Sequence, residues 1–182
     1  MREIHLVRIG AVAQDVPDFL ALALYEAFGL RCRVLEDRID PSTAYNPLRQ
    51  QYNSMDLLLK LTELRTERDV KLLGLTSVDL FIPILTFVFG QAQLNNRNAV
   101  MSVCRLSQGF YGLPEDESLL YSRCEKEALH ELGHTFGLRH CAAADCVMFS
   151  SHDLEDTDSK EHRFCSDCFD RFLAARQVFQ EG

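Results

Sequence analysis

No stretch of this sequence is long and apolar enough to span a membrane as a helix. The longest hydrophobic run, residues 80–90, is broken by Pro83 and falls well short of the roughly 20 residues that a span requires. Nor does the first segment read as a secretory leader. MREIHLVRIGAVAQD carries Glu3 and alternates in polarity, so it has no uninterrupted apolar core. There is no surplus of basic charge: the net charge is −8 over 182 residues. Nucleic acid wants a basic face, and an anionic membrane repels an acidic protein, so neither is expected as a partner. Internal repeats and low-complexity tracts are absent too. Together these point to a cytoplasmic protein, where thiols stay reduced. The seven cysteines then need an explanation other than disulfides, and four of them crowd into positions 141–168.

Nearly half the residues are hydrophobic (47%) and a quarter are charged, the balance of one soluble domain long enough to bury a core. Residues 3–10 alternate like a strand, and a helical stretch opens near Pro17 and closes at Gly29. Residues 31–36 form a second strand, completing a parallel βαβ unit. Asp40-Pro41-Ser42 is a turn. Asn46 and Pro47 look like an N-cap and a first helical position. Leu48, Tyr52, Met55, Leu59 and Thr62 then recur at helical spacing up to a charged run at 63–69. Strands follow at 70–78, 86–93 and 99–106, with a turn at 95–98 and with Gly90 marking a bulge or a close backbone approach. An acidic start after Pro114 suits the positive end of a helix, which carries on to Gly137. Beyond that the chain reads as loop and a short terminal helix. Five strands and three long helices make an α/β domain, with a small cysteine-bearing C-terminal lobe.

The segment HELGHTFGLRH, residues 130–140, carries the chemistry. His130 and His134 stand four apart on a helix, so their rings leave one face a turn apart and can meet one Zn²⁺. Glu131 flanks that metal without filling a ligand position, where it can act as base toward a water the metal acidifies. Gly137 can take positive φ, letting the chain leave the helix sharply and return His140 as third ligand. Three neutral imidazoles leave one position open, the arrangement of a hydrolytic zinc site. A bare HExxH can be a solvated helix face. Here Gly137 and His140 extend it, and three of the six histidines fall within eleven residues. His5, His152 and His162 read as structural or solvated.

Cys141 directly follows the third histidine, Cys146 comes soon after, and Cys165 and Cys168 form a CxxC. Two such knuckles match a closed four-thiolate structural zinc site. A redox CxxC, disulfides and a zinc-ribbon grip on nucleic acid compete with this reading. Each fits less well, by position, by compartment and by the acidic residues around the knuckles respectively. Cys32, Cys104 and Cys124 read as buried core thiols.

HExxHxxGxxH is the metzincin signature, which also calls for a methionine turn, and Met148 is the one methionine downstream of the motif. HELGHTFGLRHC together with Cys146, Met148 and the CxxC at 165–168 resembles the archaemetzincin family of zinc metallopeptidases. The stretch 78–106 is similar to that family's sheet region. The resemblance implies a zincin-like (metzincin) single domain with a twisted mixed sheet, residues 1–140 carrying the sheet and active-site helix and 141–182 the lobe. It implies two zinc ions, one held by His130, His134 and His140, the other by Cys141, Cys146, Cys165 and Cys168. It further implies Glu131 as general base and acid, a peptide or protein as substrate, and the strand near 86–93 as the edge that pairs with it. Some metzincins place a tyrosine after the methionine turn; Phe149 stands there instead, and no tyrosine follows Tyr121. A monomer is expected. The alternative function is a zinc-stabilised peptide-binding module with a vestigial HExxH, which the intact glutamate opposes.

Overall fold

The computed structural model describes residues 2–64, 66 and 69–181. Its opening is the expected parallel unit: β1 (Glu3–Ile9), α1 (Asp15–Phe28) and β2 (Arg31–Ile39). Gly29 closes α1 in the left-handed conformation, φ 60°, with its N–H on the Tyr25 carbonyl. A short hairpin follows, β3 (Tyr45–Asn46) and β4 (Gln51–Asn53), and then α2 (Ser54–Glu63) and β5 (Val70–Thr76). β6 (Leu80–Phe81), β7 (Gly90–Ala92) and β8 (Asn98–Ser102) lead to the long α3 (Glu117–Thr135). The chain ends in α4 (Leu154–Ser159) and α5 (Ser166–Glu181).

The main sheet has the order β2-β1-β5-β8-β7. Its first four strands are parallel, and β7 pairs antiparallel as an edge. The five strands read from sequence are these five, with β7 and β8 shorter than expected. Parallel strands buried on both faces read as continuous apolar runs, and β5 (VKLLGLT) is buried at every position. Alternate residues divide between two cores. Ile4, Leu6, Leu73, Leu75, Ala99 and Met101 face the cluster shared with α1, α3 and the C-terminal segment. Val7, Ile9, Leu72 and Val100 face Leu57, Leu58 and Leu61 of α2. The period of two puts one helix layer on each side.

The expected long helix from Asn46 is not there. The Asn46 side chain accepts from the N–H groups of Leu48 and Arg49, at 3.0 and 3.1 Å, and closes a single turn. Gln50, at φ 56°, then turns the chain back into β4. Asn53 is the true cap, its side chain accepting from Met55 N–H. The stripe taken for an apolar face is largely solvated: Leu48, Met55 and Leu59 are exposed. The charged run at 63–69 lies partly outside the described residues. β3, β4 and β6 form a second, three-stranded sheet that the sequence did not announce.

The C-terminal segment is more ordered than expected, with α4 inside it and an α5 of sixteen residues. It does not stand apart. Val147, Met148, Phe164 and Phe172 join the larger core, and Phe28, Phe136 and Phe172 pack ring to ring with centroids 5.1 to 5.5 Å apart. Among the described residues no helix is long and apolar enough to cross a membrane.

Candidate active site and metal centres

α3 carries the histidine motif into the middle of the protein. Asp116 caps its start, accepting from Leu119 N–H at 2.9 Å. Its end is a Schellman turn: Leu138 N–H reaches Gly133 O at 3.1 Å and Gly137 N–H reaches His134 O at 2.9 Å. Gly137 has φ 87°, the conformation the sequence required of it. The turn brings His140 back, so that ligand atoms of His130, His134 and His140 all lie within 4.8 Å of one another.

Each of the two helical imidazoles is held by its far nitrogen. His130 Nδ1 lies 2.8 Å from Val147 O, and His134 Nδ1 lies 2.7 Å from Leu138 O. A carbonyl only accepts, so each Nδ1 carries the proton and each Nε2 presents a lone pair. The two Nε2 atoms converge to 3.1 Å. Two lone pairs that close have nothing to bond to but a cation or a donor between them. A tetrahedral zinc with nitrogen at 2.0–2.1 Å separates its ligand atoms by about 3.4 Å, so the triad fits zinc. Burial lowers the pKa of all three imidazoles, furthest for His130, which keeps them in the neutral, ligating form.

Met148 is fully buried beneath this group. A Cβ on Gly133, the residue before His134, would lie 2.6 Å from its sulfur, so the methionine closes on bare backbone. The triad opens on a cleft of about 650 Å³. One wall is the edge strand β7 with Phe87 and Leu94; the other holds Glu127, Glu131, Arg139 and residues 150–152. Glu131 is buried with Oε2 unbonded to any N–H or O–H among the described residues. Burial, and then the charge of Glu127, hold its pKa well above the ordinary carboxylate range.

The four cysteines form a second centre away from the cleft. Their sulfurs lie within 4.8 Å of one another, and Cys141 and Cys165 are 3.8 Å apart. That is far beyond a disulfide bond. It matches the edge of a tetrahedron with metal–sulfur bonds of 2.3 Å, about 3.8 Å. Backbone N–H groups point at two of the sulfurs, Ala143 N at Cys141 (3.5 Å) and Cys165 N at Cys146 (3.3 Å). Such donors stabilise thiolate charge in a closed site.

The structure therefore brings the three histidines together in one group and the four cysteines in another, with Glu131 beside the first. His5 pairs with Glu3 at 3.2 Å and His162 with Glu125 at 3.1 Å, and neither approaches the triad. His152 lines the cleft rim but gives no atom to the ligand group. Cys124 is the buried thiol expected of it, whereas Cys32 and Cys104 are only partly covered. Cys104 leaves the core because β8 ends at Ser102, whose side chain turns the chain by accepting from Cys104 N–H. Sequence reasoning missed Glu127 and Lys160, both buried near Glu131. The signal for Glu127 was present: a second glutamate one helical turn ahead of the motif's own.

Comparison with known proteins agrees with this geometry. The model of "Peptidase family M54" matches residues 29–173. An archaemetzincin of Methanocaldococcus jannaschii is 42% identical over 160 residues, covering 88% of this chain and 87% of its own. The crystal structure of a zinc-dependent peptidase from Methanocorpusculum labreanum superposes with a TM-score of 0.85 at 30% identity, over 93% of this chain and 99% of that one. The archaemetzincin of Methanopyrus kandleri gives 0.83 at 36% identity, over 97% and 96%. The chain belongs to peptidase family M54, alongside the archaemetzincins, and is a zinc metallopeptidase.

Proposed function

We propose that this cleft hydrolyses peptide bonds, with His130, His134 and His140 holding the catalytic zinc and Glu131 moving the proton. Cys141, Cys146, Cys165 and Cys168 hold a second, structural zinc. The observation that carries this reading is the pair of lone pairs 3.1 Å apart, fixed from behind by two carbonyls and flanked by Glu131 on the wall of the cleft. Zinc, when bound, supplies a Lewis acid that polarises the scissile carbonyl and acidifies water.

The chain's own residues do the rest. The three imidazoles stay neutral and leave one ligand position to reactants. Glu131 takes the proton of the attacking water and returns it to the departing amine. β7, at the edge of the sheet and on the cleft wall, offers backbone groups to an extended peptide, as β-augmentation requires. The domain acts as one unit, residues 1–140 carrying sheet and helix and 141–182 the lobe; the core they share supports this. In this reading it works as a monomer. A cytoplasmic setting suits the clustered thiols, and the −8 charge argues against nucleic acid or membrane as partner.

Glu131→Gln tests the mechanism. The variant should keep both zinc ions by elemental analysis and lose turnover on peptides by about a thousandfold, within the range of general acid–base catalysis. A variant that cleaves peptides as fast as the parent sinks the role given to Glu131.

A further inference from the structure

The two ends of the catalytic cleft differ in chemistry, and β7 runs from one to the other. The end before β7 is apolar, lined by Ile82, Leu85 and Phe87. The arginines near it are spent elsewhere. Arg49 donates to Leu85 O at 2.7 Å and Thr86 O at 3.1 Å, and Arg105 grips Asp79 through bonds of 2.5 and 2.8 Å. The end after β7 carries Leu94 and Arg139. The two belong to one end because the chain beyond Leu94 abuts the turn that closes α3. Asn95 N–H donates to His134 O at 2.9 Å, and a Cβ on Gly137 would lie 3.5 Å from Asn95 Oδ1. Arg139 leaves that turn just afterwards. It is exposed on the cleft wall and, among the described residues, pairs with no carboxylate. The cleft's own carboxylates, Glu127 and Glu131, are buried, and His152 on the rim stands beside Asp156 at 3.4 Å.

We propose that Arg139 reads a carboxylate of the substrate, so that the cleft prefers a peptide with a carboxylate on the Leu94 side of the cleaved bond. That group is an acidic side chain or the peptide's own C terminus. A guanidinium is always charged and presents a planar fork of donors that fits a carboxylate. Gly90 marks where the chemistry takes place, since a Cβ there would lie 2.6 Å from Glu131 Cγ. Leu94 stands four residues further along, about 13 Å at the rise of a strand. Allowing for the reach of an arginine, the carboxylate sits roughly two to four residues from the cleaved bond. The net charge of −8 turns acidic peptides away at long range. Arg139 admits them in one register, with the carboxylate toward Leu94 and apolar residues toward Phe87.

This inference rests on the peptidase reading, and its test keeps the two apart. The probes are quenched fluorescent peptides of one apolar sequence. Glu or Gln is placed in turn at each position on either side of the cleaved bond, and the C terminus is free or amidated. At low salt the parent should cleave one charged peptide about tenfold faster in kcat/KM than its neutral twin. The preference should fall on one side of the bond only and shrink as salt is added. A preference for Glu that persists in amidated peptides identifies an acidic side chain; one that vanishes on amidation identifies the C-terminal carboxylate. The ratio between twins is measured within one protein, so changes in zinc content or folding cancel. Arg139→Gln should bring that ratio to unity and Arg139→Glu should reverse it. A parent that treats the twins alike, or a preference that survives in Arg139→Gln, overturns the inference. Binding tests it without turnover: zinc-loaded Glu131→Gln should bind the preferred twin more tightly, and adding Arg139→Gln should remove the difference. If the parent cleaves no peptide while these binding ratios hold, the peptidase reading fails and the role of Arg139 stands.

Discussion

The histidine triad and the cysteine quartet are both groups of convergent lone pairs, yet they are built on opposite plans. The triad comes mostly from one regular helix, has three members, and faces a cleft of about 650 Å³. The quartet comes from loops and the start of α5, has four members, and lines no part of that cleft. An open site on a rigid element suits chemistry; a closed site among loops suits holding those loops together. The two are also joined. Val147, between Cys146 and Met148, lends its carbonyl to His130, while Cys141, next to His140, bonds Met148 O at 2.9 Å. The cysteine lobe thus holds the far nitrogen of His130 and the backbone that follows His140.

The widest gap between the sites should appear when each loses one ligand. Cys146→Ser should release the second zinc, which in small thiolate sites contributes on the order of 10 kcal/mol to folding. We expect a large fall in Tm and rapid proteolysis within residues 141–168. Because Val147 moves with Cys146, affinity of the histidine site for zinc should also weaken about tenfold or more. If metal analysis shows the quartet emptied while the fold and the first site are untouched, the lobe is not held by metal.

His134→Ala should do the converse. Zinc falls from two per chain to one and turnover is lost, but Tm moves by far less than in Cys146→Ser. The helix keeps its cap and the core packed around it. A collapse of Tm comparable with the cysteine variant would mean that the triad, too, is structural.

Much of this was legible in the sequence, and unevenly. The inner strands β1, β5 and β8 could be read because both their faces are buried, which writes apolar runs into the chain, and the half-covered edge strands β2 and β7 could be placed from their neighbours. The grouping of the three histidines and of the four cysteines could be read because metal chemistry dictates residue type and spacing. The hairpin of β3 and β4 could not. Asn46 followed by Pro47 begins a helix or a lone turn equally well, and the choice is made by Gln50 at φ 56°, a non-glycine residue that carries no sign of it. The apparent stripe from Leu48 to Thr62 had the right period and the wrong phase, since α2 buries Leu57, Leu58 and Leu61 instead. Glu127 stands in the right register one turn before Glu131, but surface helices often carry glutamates; its burial and the approach of Gly90 show that this one is inside.

The smallest expected effect belongs to the residue on which the open site turns. Gly137 ends α3 at φ 87°, and a Cβ there would meet nothing closer than Asn95 Oδ1 at 3.5 Å. Gly137→Ala is therefore strained by backbone conformation and not by contact, a cost of about 1–2 kcal/mol. That is roughly 2–8 °C in Tm for a domain of this size. The functional consequence should be disproportionate. Leu138, the next residue, carries the carbonyl that orients His134, and His140 lies two residues further on. Relaxing the turn to relieve its strain shifts both ligands at once. Zinc at the histidine site should weaken while the cysteine site keeps its metal, read as selective loss of one zinc to a mild chelator. If Gly137→Ala loses stability but holds both zinc ions as firmly as the parent, the turn ends the helix without aiming the ligands.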